Sequence, residues 1–406
     1  MALALFLALA PAPRRPGAPV ARRAPQRDDA ARSSRWVGTW SCSPQLVEPR
    51  NMPPRPGLTD TTLRQQVEIS IGGRVLRLHL SNQYGHSPMV IRAARIALPA
   101  GPGAIVRATD QVLTFHGRRQ LTLPPGATAV SDPLHFRLRP LAQVTISLAF
   151  GAVPQHLTGH PGSRQTSFIQ PGDVAAAATF PDPKKTAHWY VITGLDISTR
   201  RPAAAVAIFG DSLTDGHGTT TDGNNRWTDD LARRLLAHRG TRNVAVLNEG
   251  IGGNCILKAC LGPAGVRRFR RDVLDQAGVR WVILWEGVND IGTSHAPVAK
   301  ALIAADRRLI ALAHAHHLRI YAATITPFGK SFYDSPAHRA DWRQLNHWIR
   351  HGGAFDGVVD FSALARNPAH PDRLLPADDF GDHLHFQPSG YARLAVAVPL
   401  RWFENP

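Results

Sequence analysis

From Ala203 to the C-terminus the sequence alternates short apolar runs with longer amphipathic ones, and this alternation constrains the fold more than any other feature. The apolar runs are Ala203–Phe209, Val244–Leu247, Trp281–Trp285, Ile320–Ile325 and Val358–Val359. Helix-patterned segments lie between and after them, at Trp227–His238, Ala264–Gln276, Pro297–His316, Arg339–His351 and Ser389–Trp402. Runs this short, apolar on successive residues, read as strands buried on both faces, and the intervals leave room for crossover helices. The expectation for this half is an α/β fold with a parallel sheet covered on both faces.

The half before it has a different rhythm. From Trp36 to about Phe150 it reads as all-β. Leu63–Ile71 and Arg74–Ser81 both alternate, and the Gly72-Gly73 pair between them is a hairpin signal. Further short strands are expected at Met89–Leu98, Val112–Phe115, Ala127–Val130 and Val144–Phe150, separated by Pro/Gly turns, which together point to a β-sandwich-like domain. Residues 151–188 read as irregular, Trp189–Ile197 as one more strand, and Arg200-Arg201-Pro202 as a boundary. The expected plan is a leader over 1–35, an accessory β-domain over 36–200 and the α/β domain over 203–406.

Charge and cysteine content narrow the function classes. The formal charge of +17 resembles a nucleic-acid signature, but seven arginines against two aspartates are packed into residues 14–35. The remaining charge is scattered among carboxylates without an aromatic-interleaved basic stripe, so no nucleic-acid partner is expected. No apolar run approaches the ~20 residues that span a bilayer, so stable membrane insertion is not expected either. Met1–Ala10 fits the apolar part of an export signal, although no basic region precedes it. A secreted or periplasmic location is therefore expected, with a disordered tail on a cytoplasmic protein as the alternative. Cys255 and Cys260 are close enough for a small disulfide in an oxidising compartment, leaving Cys42 over; three separate thiols are equally compatible with the sequence.

Four short blocks in the second half fall at expected strand ends. They are Gly210-Asp211-Ser212-Leu213, Asn248-Glu249-Gly250-Ile251-Gly252-Gly253-Asn254, Gly287-Val288-Asn289-Asp290 and Asp382-His383-Leu384-His385. Acyl transfer needs a nucleophile, a base within hydrogen-bond reach, a carboxylate to orient that base, and donors aimed at the oxyanion. Glycine lets a backbone N–H approach a substrate closely, and an asparagine side chain supplies another donor. An acid three residues before a histidine, on a loop entering a helix, places both side chains toward the same sheet edge.

With these blocks in this order, residues 203–406 resemble the SGNH (GDSL) hydrolase family. The full chain, including Trp36-Val37-Gly38-Thr39-Trp40, is similar to a bacterial subgroup with an N-terminal β-domain. The resemblance implies a flavodoxin-like three-layer α/β/α domain and a serine esterase acting through an acyl-enzyme. By position it implies Ser212 as nucleophile, His385 as base and Asp382 as orienting acid. The oxyanion hole would be the Ser212 N–H, Gly253 (with Gly252 as its neighbouring alternative) and Asn289. No cofactor or metal is implied, and the partner is a small-molecule or carbohydrate ester.

Other readings of the same residues are weaker. His383 lacks the three-residue offset from Asp382. Asp211 and Asp290 could be a glycosidase pair, but Asp211 reads better as a loop brace and Asp290 as a residue bonded within its own turn. His314, His316 and His317 suggest a helix C-terminus more than a metal site, and Trp227 and Trp342 suggest packing more than a sugar platform. At the level of function, short-chain or acetyl ester hydrolysis competes with lipase or acyltransferase chemistry on the same fold. A carbohydrate-binding protein with a vestigial hydrolase domain is the alternative of another class. Loops such as 216–225, 254–265 and 327–335 choose the substrate, and nothing in their sequence names it.

Overall fold

The computed structural model describes residues 35–199 and 201–404, so the expected leader lies outside the described residues. Five parallel strands form the second half: β1 (Ala204–Gly210), β2 (Val244–Gly250), β3 (Val279–Trp285), β4 (Arg319–Ala323) and β5 (Gly357–Val359). Their order across the sheet is β2-β1-β3-β4-β5, the flavodoxin-like arrangement, with every neighbouring pair parallel. β1 is buried at every position, which is why its sequence is apolar without alternation.

Helices cover both faces. Val206 and Ile208 of β1 pack with Trp227 and Leu231 of helix Trp227–Ala237 and Leu394 of helix Pro388–Ala397. Ala207 and Phe209 face the other way, onto Phe269 and Val273 and onto Leu309 of helix Ala299–Ala315. The single helix expected over Ala264–Gln276 is instead an α-helical turn, Gly265–Phe269, that widens into a π-helical one, Arg270–Leu274.

Two antiparallel sheets build the first half. One holds Arg35–Ser41, Ile192–Thr199, Gly73–Ser81, Thr128–Val130 and Leu134–Leu138. The other contains Thr61–Glu68, Gln143–Phe150, Met89–Ala97 and Ser167–Pro171 among its strands. Leu76, Leu78 and Leu80 from the first and Leu63, Ile91 and Ile146 from the second share one buried cluster. At about 1.5–3 kcal/mol for each such side chain, this is the main force holding the sheets together.

The Gly72-Gly73 hairpin does not form. Thr61–Glu68 and Gly73–Ser81 lie in different sheets, each paired with partners distant in sequence. Neither glycine has the positive φ that a two-residue I′ turn requires at both central positions. Gly72 serves a close approach instead, since a Cβ there would stand 2.4 Å from the Leu138 carbonyl oxygen. The strand expected over Trp189–Ile197 is likewise divided. Trp189–Tyr190 joins Thr158–His160 and Gln45–Leu46 in a small third sheet, and Ile192–Thr199 belongs to the first. The break falls at Val191, a β-branched residue at φ 70°, held by hydrogen bonds to Thr158 and Ser81.

The two halves share a core. Ala245 and Leu247, on one face of β2, belong to the apolar cluster of the antiparallel half and not to a helix-covered layer. Gly38 sits against Leu247, where a Cβ would come within 2.9 Å of the leucine. β2 is an edge strand, and Ser70 from the antiparallel half bonds both its Val246 N–H (3.1 Å) and its Val246 carbonyl (3.4 Å). Cys42 adds a parallel bridge to Asn248. The edge that would otherwise invite a foreign strand is thereby covered.

Candidate active site

At the C-terminal end of β1 the chain turns sharply at Gly210. A Cβ there would stand 2.5 Å from the Trp285 carbonyl oxygen and 2.3 Å from Thr214 Oγ1, so only glycine allows the turn. Asp211 then caps a short helix, Ser212–Asp215, by accepting the Leu213 N–H at 3.0 Å. Burial pushes the Asp211 carboxyl up to about 7, against the pull of the Leu213 N–H and with the charge of Asp290 adding to the rise. Asp211 is a brace in this geometry, as its sequence position suggested.

Ser212 opens that helix and is 8% exposed. Its Oγ lies 2.8 Å from His385 Nε2, and His385 Nδ1 lies 2.6 Å from Asp382 Oδ2. Because the carboxylate only accepts, the ring proton sits on Nδ1 and Nε2 is left to accept from the serine hydroxyl. Asp382 Oδ1 accepts the backbone N–H groups of Leu384 (3.0 Å) and His385 (2.9 Å), which fixes the acid on its own loop. Burial works to raise the Asp382 carboxyl, but the His385 ring and these backbone donors hold it well below the usual carboxylate range. His383 points elsewhere, bonding Asp379 Oδ2 at 2.6 Å.

The donors expected to face an oxyanion line the same cleft. The Gly252 N–H is taken by Asp215 Oδ2 at 3.1 Å. Gly253, at φ 71°, has an N–H with no acceptor among the described residues, and the same holds for the Ser212 N–H. Of the two neighbouring glycines, only Gly253 therefore has a donor free for a ligand. Asn289 stands on the helix Val288–Gly292. Its amide N–H bonds the Asn254 carbonyl at 2.8 Å and its Oδ1 accepts the Tyr333 hydroxyl at 2.9 Å, leaving a second amide hydrogen unused. Contrary to the expectation from sequence, the Asp290 carboxylate does not bond within its own turn. It instead accepts the Ile256 and Leu257 N–H groups (2.7 and 3.0 Å), anchoring the loop after the glycine turn. That loop carries the Cys255–Cys260 disulfide.

Beneath the site lies a fully buried guanidinium. Arg268 donates to the carbonyls of Gly210 (2.8 Å) and Glu249 (2.7 Å), tying together the ends of β1 and β2. It pairs with Asp272 at 3.1 Å and Glu286 at 3.4 Å and covers the Phe209 ring. Ser43 of the antiparallel half bonds Glu249 (2.7 Å) and Asp272 (2.9 Å), so the network crosses between the halves. Burial, reinforced by the charge of Asp272, pushes the Glu249 carboxyl upward.

The cleft over Ser212 has a volume of about 440 Å³. One wall is Leu261, Phe332 and Tyr333; the other comes from the antiparallel half as Gln45, Glu48, Arg50, Asn51 and Arg164. Phe332 is 71% exposed. Arg164 donates to the Gly216 carbonyl (2.7 Å) and to His217 Nδ1 (3.1 Å), and the His217 and His385 rings lie 4.2 Å apart. Burial, then the charges of His385 and Arg164, push His217 down to about 4. His217, Asp382 and His385 come close enough to be weighed as metal ligands. Both His385 nitrogens, both Asp382 oxygens and His217 Nδ1 are engaged in the bonds just described, with a guanidinium beside them, which suits a proton relay better than a cation.

Sequence reasoning did not find Tyr333, Arg164, His160 or Asp215. Asp215 lies two residues after the first block, and its signal was a carboxylate close behind Ser212. The other three have no spacing that ties them to Ser212. Trp227 and Trp285 are core residues packed on Phe361.

Residues 208–393 match the GDSL-like Lipase/Acylhydrolase family. No curated protein matches the chain. Similar solved structures include the lipase/acylhydrolase from Enterococcus faecalis (21% identity, 49% of this chain and 94% of that one, TM-score 0.39). Est24, a carbohydrate acetylesterase from Sinorhizobium meliloti, is another (14%, 48% and 96%, TM-score 0.37). A third is a GDSL-like lipase from Bacteroides thetaiotaomicron VPI-5482 (16%, 49% and 89%, TM-score 0.37). With the four blocks gathered at the ends of a parallel sheet and the family match running through all of them, the protein is a hydrolase that carries a GDSL-like lipase/acylhydrolase domain over residues 208–393.

Proposed function

We propose that the chain hydrolyses carboxylic esters of short acyl groups, acetyl esters of carbohydrates among them, through a Ser212 acyl-enzyme. The observation that carries this is the unbroken relay Ser212–His385–Asp382, at 2.8 and 2.6 Å, beside N–H groups left without acceptors. Ser212 Oγ attacks the ester carbonyl as its proton passes to His385 Nε2, and Asp382 stabilises the imidazolium. The Ser212 and Gly253 N–H groups and the Asn289 amide receive the oxyanion. Collapse of the tetrahedral intermediate expels the alcohol, which takes the proton from His385. Water then attacks the acyl-enzyme by the same route and releases the acid. A cleft of about 440 Å³ with a polar wall and one exposed aromatic favours a small acyl group on a polar alcohol over a long lipid chain. We also propose export to an oxidising compartment, which suits the Cys255–Cys260 pair.

The test is hydrolysis of an aryl ester series from acetyl to long-chain by the wild type and by Ser212→Ala. Activity concentrated on the short esters and lost in the variant is the expected result. Equal activity of the two proteins would remove Ser212 from the reaction.

A further inference from the structure

Asp215 ends the short helix that Ser212 begins, and its carboxylate meets two donors. Oδ2 accepts the Gly252 N–H, and Oδ1 lies 2.9 Å from His160 Nε2. The second ring nitrogen of His160 lies 3.0 Å from the Ser43 carbonyl oxygen. A carboxylate and a carbonyl only accept hydrogen bonds, so His160 carries a proton on each nitrogen and meets Asp215 as a cation. Both residues are buried, and Asp215 is closely surrounded. A Cβ on Gly162 would come within 1.7 Å of Asp215 Oδ2, and one on Gly250 within 2.3 Å of the Asp215 nitrogen. His160 belongs to the strand Thr158–His160 of the antiparallel half and stacks on Trp189.

We propose that His160 is a positioning residue for the reaction: its buried ion pair with Asp215 pins the Gly252 N–H and thereby aims the next amide, that of Gly253, at the oxyanion. This rests on the roles proposed for Ser212 and Gly253. A Gly-Gly turn has wide backbone freedom, and a donor that must meet a developing charge needs that freedom removed. The turn is anchored on its far side by the Leu261 N–H bonded to the Gly253 carbonyl at 3.2 Å. The near anchor is Asp215, and the cation that keeps Asp215 charged and in place belongs to the other half of the chain. Without it a buried carboxylate would be left with the Gly252 N–H alone, a state that drives the group to take a proton or turn toward water. A misplacement of about 1 Å costs on the order of 100-fold in rate.

The experiment uses the full chain. kcat and KM on an aryl acetate, and affinity for an arylboronic acid that forms a tetrahedral adduct on the serine, are measured for His160→Ala, Asp215→Asn and the double variant. The expected result is a fall in kcat of about 10- to 100-fold for each single variant. KM stays within about twofold, boronate affinity falls in step with kcat, and the double variant is about as impaired as the worse single one. His160→Gln, whose amide still donates to Asp215, should recover part of kcat. If His160→Ala does not fold, the nearly isosteric Asp215→Asn makes the same test, since its one acceptor oxygen must give up a donor. Folded variants that keep kcat and boronate affinity within about twofold, or that lose only KM, overturn the proposal. The control is Ser212→Ala: activity there overturns the nucleophile, whereas an inactive Ser212→Ala beside an unimpaired His160→Ala overturns the positioning role alone.

Discussion

Two hydrogen-bonded relays meet at the nucleophile helix, and they are built on opposite plans. Asp382–His385–Ser212 draws every member from the second half of the chain, with acid and base three residues apart on one loop. His160–Asp215–Gly252 crosses between the halves, joining residues that no local spacing connects. The first relay carries the proposed chemistry and stays partly open to the cleft. The second is buried at His160 and Asp215 and carries none of the proposed bond-making steps. The reacting groups are local, while their geometry is set by long-range packing.

The largest expected effect separates the two plans. Ser212→Ala should lower kcat/KM by at least about 10⁴-fold and leave thermal unfolding unchanged, because the hydroxyl is engaged only with His385. A coincident loss of stability would show that the first relay also carries a structural role. Next comes the floor of the site. Arg268→Met leaves the buried Asp272 with Arg271 as its remaining cation and Glu286 without its ion-pair partner, and should cost about 3–5 kcal/mol in denaturant unfolding. A cost below about 1 kcal/mol would mean that the crossing network is not a stabilising seam. Asn289→Ala should lower kcat about 100- to 1000-fold with little change in KM. A rise in KM instead would make Asn289 a ground-state contact.

The smallest effect is a pH dependence. The unfolded chain protonates His217 near 6.5, whereas the folded protein resists until about 4. The unfolded state therefore binds the extra proton in that window, and stability is full above about pH 6.5 and declines as the pH falls toward 4. His217→Gln should make the decline in melting temperature over that window shallower. An unchanged slope would place the destabilising proton elsewhere.

Much of the second half was legible because its signals are local. Strand–helix alternation marked the five parallel strands, and the order of Ser212, Gly253, Asn289, Asp382 and His385 marked the residues that the fold gathers in one cleft. What stayed hidden depended on contacts between distant segments. Gly72-Gly73 has the composition of a hairpin turn, yet the chain crosses there from one sheet to the other, which no pattern within nine residues encodes. Val191 sits in the middle of an alternating run and breaks it, because its N–H donates to the Thr158 carbonyl and its carbonyl accepts the Ser81 N–H, which together override the preference of a β-branched residue. Asp290 looked like a turn residue and proved to be an anchor for Ile256 and Leu257, a contact set by sheet topology. His160 gave no sign at all, since a lone buried histidine acquires meaning only from what faces it.

The shared face of β2 has a consequence for how such a protein can be recombined. The hinge-like composition at residues 200–202 looks like a natural splice point, but a fragment begun there would carry Ala245, Leu247 and the Val246 backbone into water. Grafting a foreign front half would expose the same strip unless the graft brought equivalents of Gly38, Ser43, Ser70 and His160. The apparent seam in the gene is therefore not a seam in the molecule, and the two halves are expected to diversify together.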